Sequence, residues 1–221
     1  VMSANDLRMV EVDKLHAREA IAYDSAPVPG SHLEVCDASV LKEAVAELRS
    51  ATPRLRGASD AELLELFRVV DSQGQLSVAG LYALGRFPQG FFPDLHISAA
   101  VQYPAGEEGP RTRNLEEFYG PVPDLVDGAV AWVRRNIDTD LVYGTDGHLR
   151  EVPELPLEAV REVIANAVVH RDLGPASLGA GKFVTVRLTR QALIVTSPGG
   201  LRGISVEELR GKMLSPVAVN P

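Results

Sequence analysis

Cysteine is nearly absent from this chain: Cys36 stands alone among 221 residues. A single thiol excludes an internal disulfide, and no Cys/His cluster has the spacing of a zinc site. No apolar run approaches the roughly 20 residues that a membrane-crossing helix needs. The first residues, VMSANDLRMVEVDKL, lack the layout of a signal peptide. Net positive charge is missing too. The formal charge is -8, so the chain as a whole has no attraction for nucleic-acid phosphates. Internal repeats and low-complexity segments are also absent. These absences argue against a disulfide scaffold, a helical membrane protein and a globally basic nucleic-acid binder. They fit a reducing, cytoplasmic location.

What is present is an ordinary globular composition, 45% hydrophobic and 24% charged, in a chain long enough for one large or two small domains. The start at Val1 and the stop at VAVNP lead us to expect a piece of a longer protein. Periodicity and caps predict helices over 5–21, from Asp37 to about Arg49, and from Ser59 or Asp60 through AELLELFRVV. DSQGQ reads as a turn before a second apolar stretch, LSVAGLYALG. LHISAAVQY (95–103) alternates and reads as a strand. Residues 104–114 are polar and read as a loop. A helix follows over 122–137, with Leu125, Val126, Ala129, Val130 and Val133 inward. Two short strands are expected around a turn at Asp146–Gly147.

The stretch REVIANAVVHRD (161–172) reads as a helix started by Pro156. It is apolar nearly all round, yet Glu162, Asn166 and His170 recur every four residues. Each such step advances about 40° around a helix, so the three span about 80°. A stripe this narrow is expected to face something specific rather than bulk solvent. A carboxylate and a carboxamide one turn apart can orient water and offer Mg²⁺ the oxygens it prefers. Such a stripe serves equally well to hydrogen-bond a neighbouring loop. A glycine-rich loop, LGPASLGAGK, comes next, then the strands FVTVRLT and ALIVTS as a hairpin. PGGL follows, and then a short helix, ISVEELRGKM, capped by Ser205.

The combination of LPLEAVREVIANAVVHRD, a strand pair and IVTSPGGL resembles the nucleotide-binding segment of GHKL-type ATPases. It is most similar to bacterial proteins described as RecG-related or divergent ATP-binding transcriptional regulators, which join a Schlafen/AlbA-like domain, a middle region, a GHKL-like segment and winged helices. PVPGS, LSVAGLYALGRFPQGFFPDLHI and the helix around Trp132 look like that middle region, so the resemblance covers most of the chain. It implies an α/β (α+β) fold, helices packed on a mixed sheet, with a middle region over 1–120 and a truncated GHKL-like region over 121–221. It also implies a site for ATP and Mg²⁺. Asn166 would be the metal ligand and Glu162 the catalytic, water-activating carboxylate. His170, Asp172, Gly199, Gly200 and Leu201 would stand along the nucleotide. DNA would be a partner through domains outside this chain, and a homodimer is a further expectation.

The chain departs from that pattern at SPGGL, which lacks the aspartate that meets adenine, so weak ATP binding is expected of this chain alone. A weak ATPase and a degenerate scaffold or dimerisation module both stay open. An independent hydrolase built on Glu162 and His170 is the weakest reading, since no nucleophile accompanies them. ASLGAGKF is not a phosphate loop, because it follows a helix and opens a strand and Lys182 precedes Phe183. No helicase motor motif occurs. His16, His32, His96 and His148 are scattered singly and carry no expected function, and Cys36 is expected to be inert.

Overall fold

The computed structural model describes residues 23–103, 111–143, 148–175 and 177–199. The helix expected over 5–21, the turn at Asp146–Gly147, Gly200, Leu201 and the helix after them lie outside the described residues.

Local signals build the first part. Helix α1 (Ala38–Ala51) starts at Asp37, whose carboxylate accepts from the Ser39 amide at 2.9 Å. Helix α2 (Asp60–Leu66) opens with a capping box. The Ser59 hydroxyl accepts from the Glu62 amide, and the Glu62 carboxylate accepts from the Ser59 amide at 2.7 Å. The Ser77 hydroxyl caps α3 (Val78–Leu84) by accepting from the Gly80 amide at 2.9 Å. Each cap satisfies amides that no helical carbonyl reaches. Arg49 ties the end of α1 to the start of α2 through Asp60 Oδ1 at 2.6 Å. Between α2 and α3, Asp71 Oδ1 accepts from the amides of Gln73 and Gln75 and closes the turn read from DSQGQ. Val45, Leu63, Leu64, Leu76, Val78 and Leu81 pack into one core. Gly80 allows the close approach of α3, since a Cβ there would lie 2.4 Å from the Val69 carbonyl oxygen.

The second part is a layer of two helices on a four-stranded sheet. Its strands are β1 (Ile97–Gln102), β2 (Thr112–Phe118), β5 (Val184–Leu188) and β6 (Leu193–Thr196), in the order β2-β1-β5-β6. β1 pairs parallel with β5, and the other two pairings are antiparallel, so the sheet is mixed. Between β2 and β5 come α4 (Val122–Asn136), a separate ribbon of β3 (Thr139–Tyr143) and β4 (Leu149–Pro153), and α5 (Leu157–Val169). In α4, Leu125, Val126, Ala129, Trp132 and Val133 recur on one face, and in α5 Val160, Ile164 and Val168 do so. These stripes meet Ile97, Ala99, Val184 and Val186 in a second core. The expected α+β architecture, helices packed on a mixed sheet with α5 against the β5–β6 hairpin, is therefore the fold observed.

Two expectations change. Residues 112–114 are not loop: they open β2, an edge strand whose side chains are exposed except for the half-buried Phe118. The boundary expected between 120 and 121 runs through the sheet, because β1 from one side of it pairs directly with β5 from the other. Strand pairing across 87 residues (184 - 97) leaves no composition signal. Asn114 sits in a left-handed conformation (φ 51°) where the β1–β2 register shifts. Its carbonyl accepts from Trp132 Nε1 at 2.9 Å, which anchors the irregularity to α4.

Candidate functional site

Helix α5 begins after Pro156 and ends at His170, whose amide donates to the Asn166 carbonyl at 3.0 Å. Its apolar stripe is spent on the sheet. Arg161 joins Asp127 of α4 at 2.5 Å in an exposed ion pair. The Glu162–Asn166–His170 stripe then points away from both cores. All three side chains are exposed, and so are Val163 and Val169 beside them. Among the described residues the stripe faces solvent, contrary to the expectation that it meets something specific. Burial of Val160, Ile164 and Val168 dictates this orientation, because the polar stripe lies on the opposite arc. Glu162 and Asn166 do act as a pair: Asn166 Nδ2 donates to Glu162 Oε1 at 2.9 Å. That bond leaves Asn166 Oδ1 and Glu162 Oε2 for another partner.

The residues after His170 turn inward. Arg171 is 3% exposed. Its two terminal nitrogens donate to the carbonyls of Asp94, at 2.9 Å, and Lys182, at 3.1 Å. It thus clamps the segments that lead into β1 and β5, a role that periodicity could not reveal because Arg171 lies beyond the helix. The phenol of Tyr82 lies beside it. Burial pushes that phenol up, and the guanidinium pulls the other way. Among the described residues neither Tyr82 Oη nor Arg171 Nε has a hydrogen-bond partner.

Asp172 organises the glycine-rich loop. Its carboxylate accepts from the Gly174 amide at 3.0 Å and from the Ser177 hydroxyl at 2.9 Å. Its own amide donates to the Pro198 carbonyl at 3.1 Å. The Ser197 hydroxyl donates to the Ala167 carbonyl of α5 at 2.7 Å. Gly199 has φ +122°, and a Cβ there would lie 3.0 Å from Asp172 Cβ. Two segments singled out in the sequence, the end of α5 and the start of PGGL, are therefore in contact. The structure brings Asp172 and Gly199 together. It sets Glu162, Asn166 and His170 on the adjoining exposed face.

His96, to which the sequence assigned no function, has a structural role. It is buried, its Nδ1 lies 2.8 Å from the Pro93 carbonyl oxygen, and its ring stacks between Phe183 at 4.4 Å and Tyr119 at 5.4 Å. Gln89 was likewise not foreseen. It is buried and exchanges hydrogen bonds with the backbone of Gly120 while donating to the Leu95 carbonyl. Both residues fasten the entry to β1. Cys36 is buried, as inertness requires, and that burial raises its thiol pKa.

No family model and no curated protein matches this chain. Among solved structures it is similar to the DIP2311 protein from Corynebacterium diphtheriae, with 24% sequence identity and a TM-score of 0.53. The similarity covers 86% of this chain and 36% of that one, so the chain spans little more than a third of its neighbour's length. The likeness is one of fold. No described helix is long and apolar enough to cross a membrane.

Proposed function

We propose that this chain is the core of a bacterial nucleotide-responsive transcriptional regulator, with a GHKL-like Mg-ATP site between the exposed face of α5 and the turn at Pro198–Leu201. The observation that supports this reading is the seating of Ser197–Gly199 against the end of α5 and Asp172. A site of this kind needs a polar helix face and a glycine turn side by side. The donor set fits Mg²⁺: the Glu162–Asn166 pair leaves two oxygens open on one face, and Mg²⁺ is commonly held by one or two such groups plus phosphate oxygens and water. Mg²⁺ would neutralise phosphate charge there. Glu162 would orient or deprotonate a water, and glycine at 199 lets the turn pack closely on Asp172. DNA would be contacted by other parts of a longer protein.

Calorimetry with Mg-ATP tests the reading. The expected result is weak, Mg²⁺-dependent binding that Asn166→Ala removes. SPGGL has no carboxylate for the adenine amino group, a contact typically worth about 1.5–3 kcal/mol, or roughly ten- to hundredfold in affinity. An absence of Mg²⁺-dependent heat at millimolar ATP, in this chain and in the longer protein alike, would overturn it.

A second reading is a scaffold that joins DNA-binding domains without taking nucleotide. The use of the Asp172 carboxylate within its own loop and the open exposure of the Glu162 stripe favour it. Under that reading, substitutions at Glu162 and Asn166 leave regulation in the longer protein unchanged.

A further inference from the structure

The ribbon of β3 and β4 stands apart from both cores. Its side chains are exposed along both strands, with only Pro153 half-buried. Five large apolar side chains crowd its ten residues: Leu141 is 64% exposed, Val142 48%, Tyr143 76%, Leu149 50% and Val152 45%. An isolated two-stranded ribbon is marginal in water, and a contiguous exposed apolar cluster marks an interaction surface. The register places Leu141, Tyr143 and Leu149 on one face, and Asp140, Val142, Arg150 and Val152 on the other.

The two edges of the ribbon differ. β4 reads Leu149-Arg150-Glu151-Val152-Pro153, with two charges and a proline that has no N–H to give, the devices that block edge pairing. β3 reads Thr139-Asp140-Leu141-Val142-Tyr143, with no proline, no basic residue and one carboxylate. Consider two copies paired antiparallel about a two-fold axis. Centred on Leu141, the β3 edge sets Leu141 against Leu141, Asp140 against Val142 and Thr139 against Tyr143. Centred on Val142, it sets Val142 against Val142 and Leu141 against Tyr143. Neither register opposes like charges, and both make the aliphatic and aromatic cross-strand pairs that stabilise sheets. The same operation on β4 centred on Arg150, Glu151 or Val152 opposes Arg150 to Arg150, or Glu151 to Glu151, or places Pro153 in the ladder.

We propose that the β3 edge is a homodimer interface. Two copies of this chain join β3 to β3 antiparallel, forming a four-stranded β4-β3-β3-β4 sheet with Leu141, Tyr143 and Leu149 of both copies on one face. This pairing stands whether or not α5 takes a nucleotide.

Sedimentation of the 221-residue chain from low to high micromolar concentration tests it. The expected result is a monomer–dimer equilibrium. Leu141→Lys combined with Tyr143→Lys sets lysines opposite one another in either register and weakens dimerisation at least tenfold, while Glu151→Gln on the other edge leaves it unchanged. At concentrations low enough for wild type to be monomeric, both variants keep the wild-type melting midpoint, because the ribbon belongs to neither core. Under mild oxidation, Leu141→Cys or Val142→Cys, whichever lies on the two-fold axis, gives a covalent dimer, and Glu151→Cys does not. A monomer at every concentration overturns the proposal, as does a dimer indifferent to the lysines. Concentration-independent protection of the 139–143 amides from hydrogen exchange in a monomer also overturns it, and would show that the chain's own residues cover β3.

Discussion

The helices α1–α3 and the sheet layer of α4, α5, β1, β2, β5 and β6 bury similar kinds of side chain by opposite means. In the first region each helix announces itself through a cap within its own sequence: Asp37, the Ser59–Glu62 box and Ser77. In the second, the decisive contact is the parallel pairing of Ile97–Val101 with Val184–Leu188, and no local signal encodes it. One region is specified residue by residue. The other is specified only when distant segments meet, and that asymmetry determines which substitutions should matter.

The largest effects come from the cores. Trp132→Ala in the sheet layer should cost about 3–5 kcal/mol, and Leu63→Ala in the helical region about 2–5 kcal/mol. Phe92, Leu173 and Leu178 pack against both cores, so the two regions should unfold as one unit. Trp132 is the single tryptophan and reports the sheet layer alone. In Leu63→Ala, its fluorescence midpoint in urea should therefore fall together with the ellipticity midpoint. Separate midpoints would break the comparison into two independent units.

Next is the clamp at the entry to the sheet. Arg171→Met removes both charged hydrogen bonds to Asp94 and Lys182 and leaves two backbone carbonyls without this donor. A loss of about 3 kcal/mol in urea titration is expected. A loss below about 1 kcal/mol would mean that water replaces the guanidinium at little cost.

The caps come third. Ser59→Ala should cost about 1 kcal/mol. The Ser39 hydroxyl and amide hold the Asp37 carboxyl below its usual range, and the Ser59 amide and hydroxyl do the same for Glu62. A carboxyl depressed in the folded state contributes stability that is complete above its unfolded pKa, about 4, and is lost as pH falls through the lower folded value. Wild type should therefore lose more stability between pH 5 and pH 3 than the Asp37→Asn/Glu62→Gln double variant does. Equal acid slopes would show that these caps do not titrate as argued.

The smallest effect is expected at the candidate site itself. Asn166 is exposed and bonded only to Glu162 among the described residues, so Asn166→Ala should change stability by no more than about 0.5 kcal/mol. Had the stripe been buried, a lost hydrogen bond would have cost about 1–3 kcal/mol. A large destabilisation would reveal a hidden structural role and weaken the nucleotide reading.

The sequence disclosed α1, α2, α4 and α5, the caps at Asp37 and Ser59, the β5–β6 hairpin and the class of fold, because these follow from spacing within short windows. It did not disclose β2. TRNLEEF alternates poorly and buries only part of Phe118, since an edge strand needs its partner's backbone more than it needs apolar side chains. The spacing of Glu162, Asn166 and His170 correctly put them on one face, but spacing cannot say whether that face is covered. Asp172 and Gly199 were named as site residues, and they do meet. Arg171 and Gln89 escaped notice because they hold backbone carbonyls brought from far along the chain, Asp94 and Gly120, and His96 was set aside because the ring that stacks on it, Phe183, is equally remote in sequence. Such contacts leave no mark on residue type.

Parallel pairing of β1 with β5 also sets a timetable for synthesis. Between Gln102 and Val184 stand 81 residues (184 - 102 - 1), so β1 and β2 leave the ribosome well before the strand that completes their sheet. At about 5–20 residues per second the wait is roughly 4–16 s. Over that interval β1 offers one bare strand edge, while the capped helices before it can already be folded. A high separation of this kind slows folding and invites mispairing. The nascent chain should therefore be most vulnerable to aggregation and to chaperone capture with its synthesis stalled between β2 and β5, and should lose that vulnerability once residue 188 has emerged.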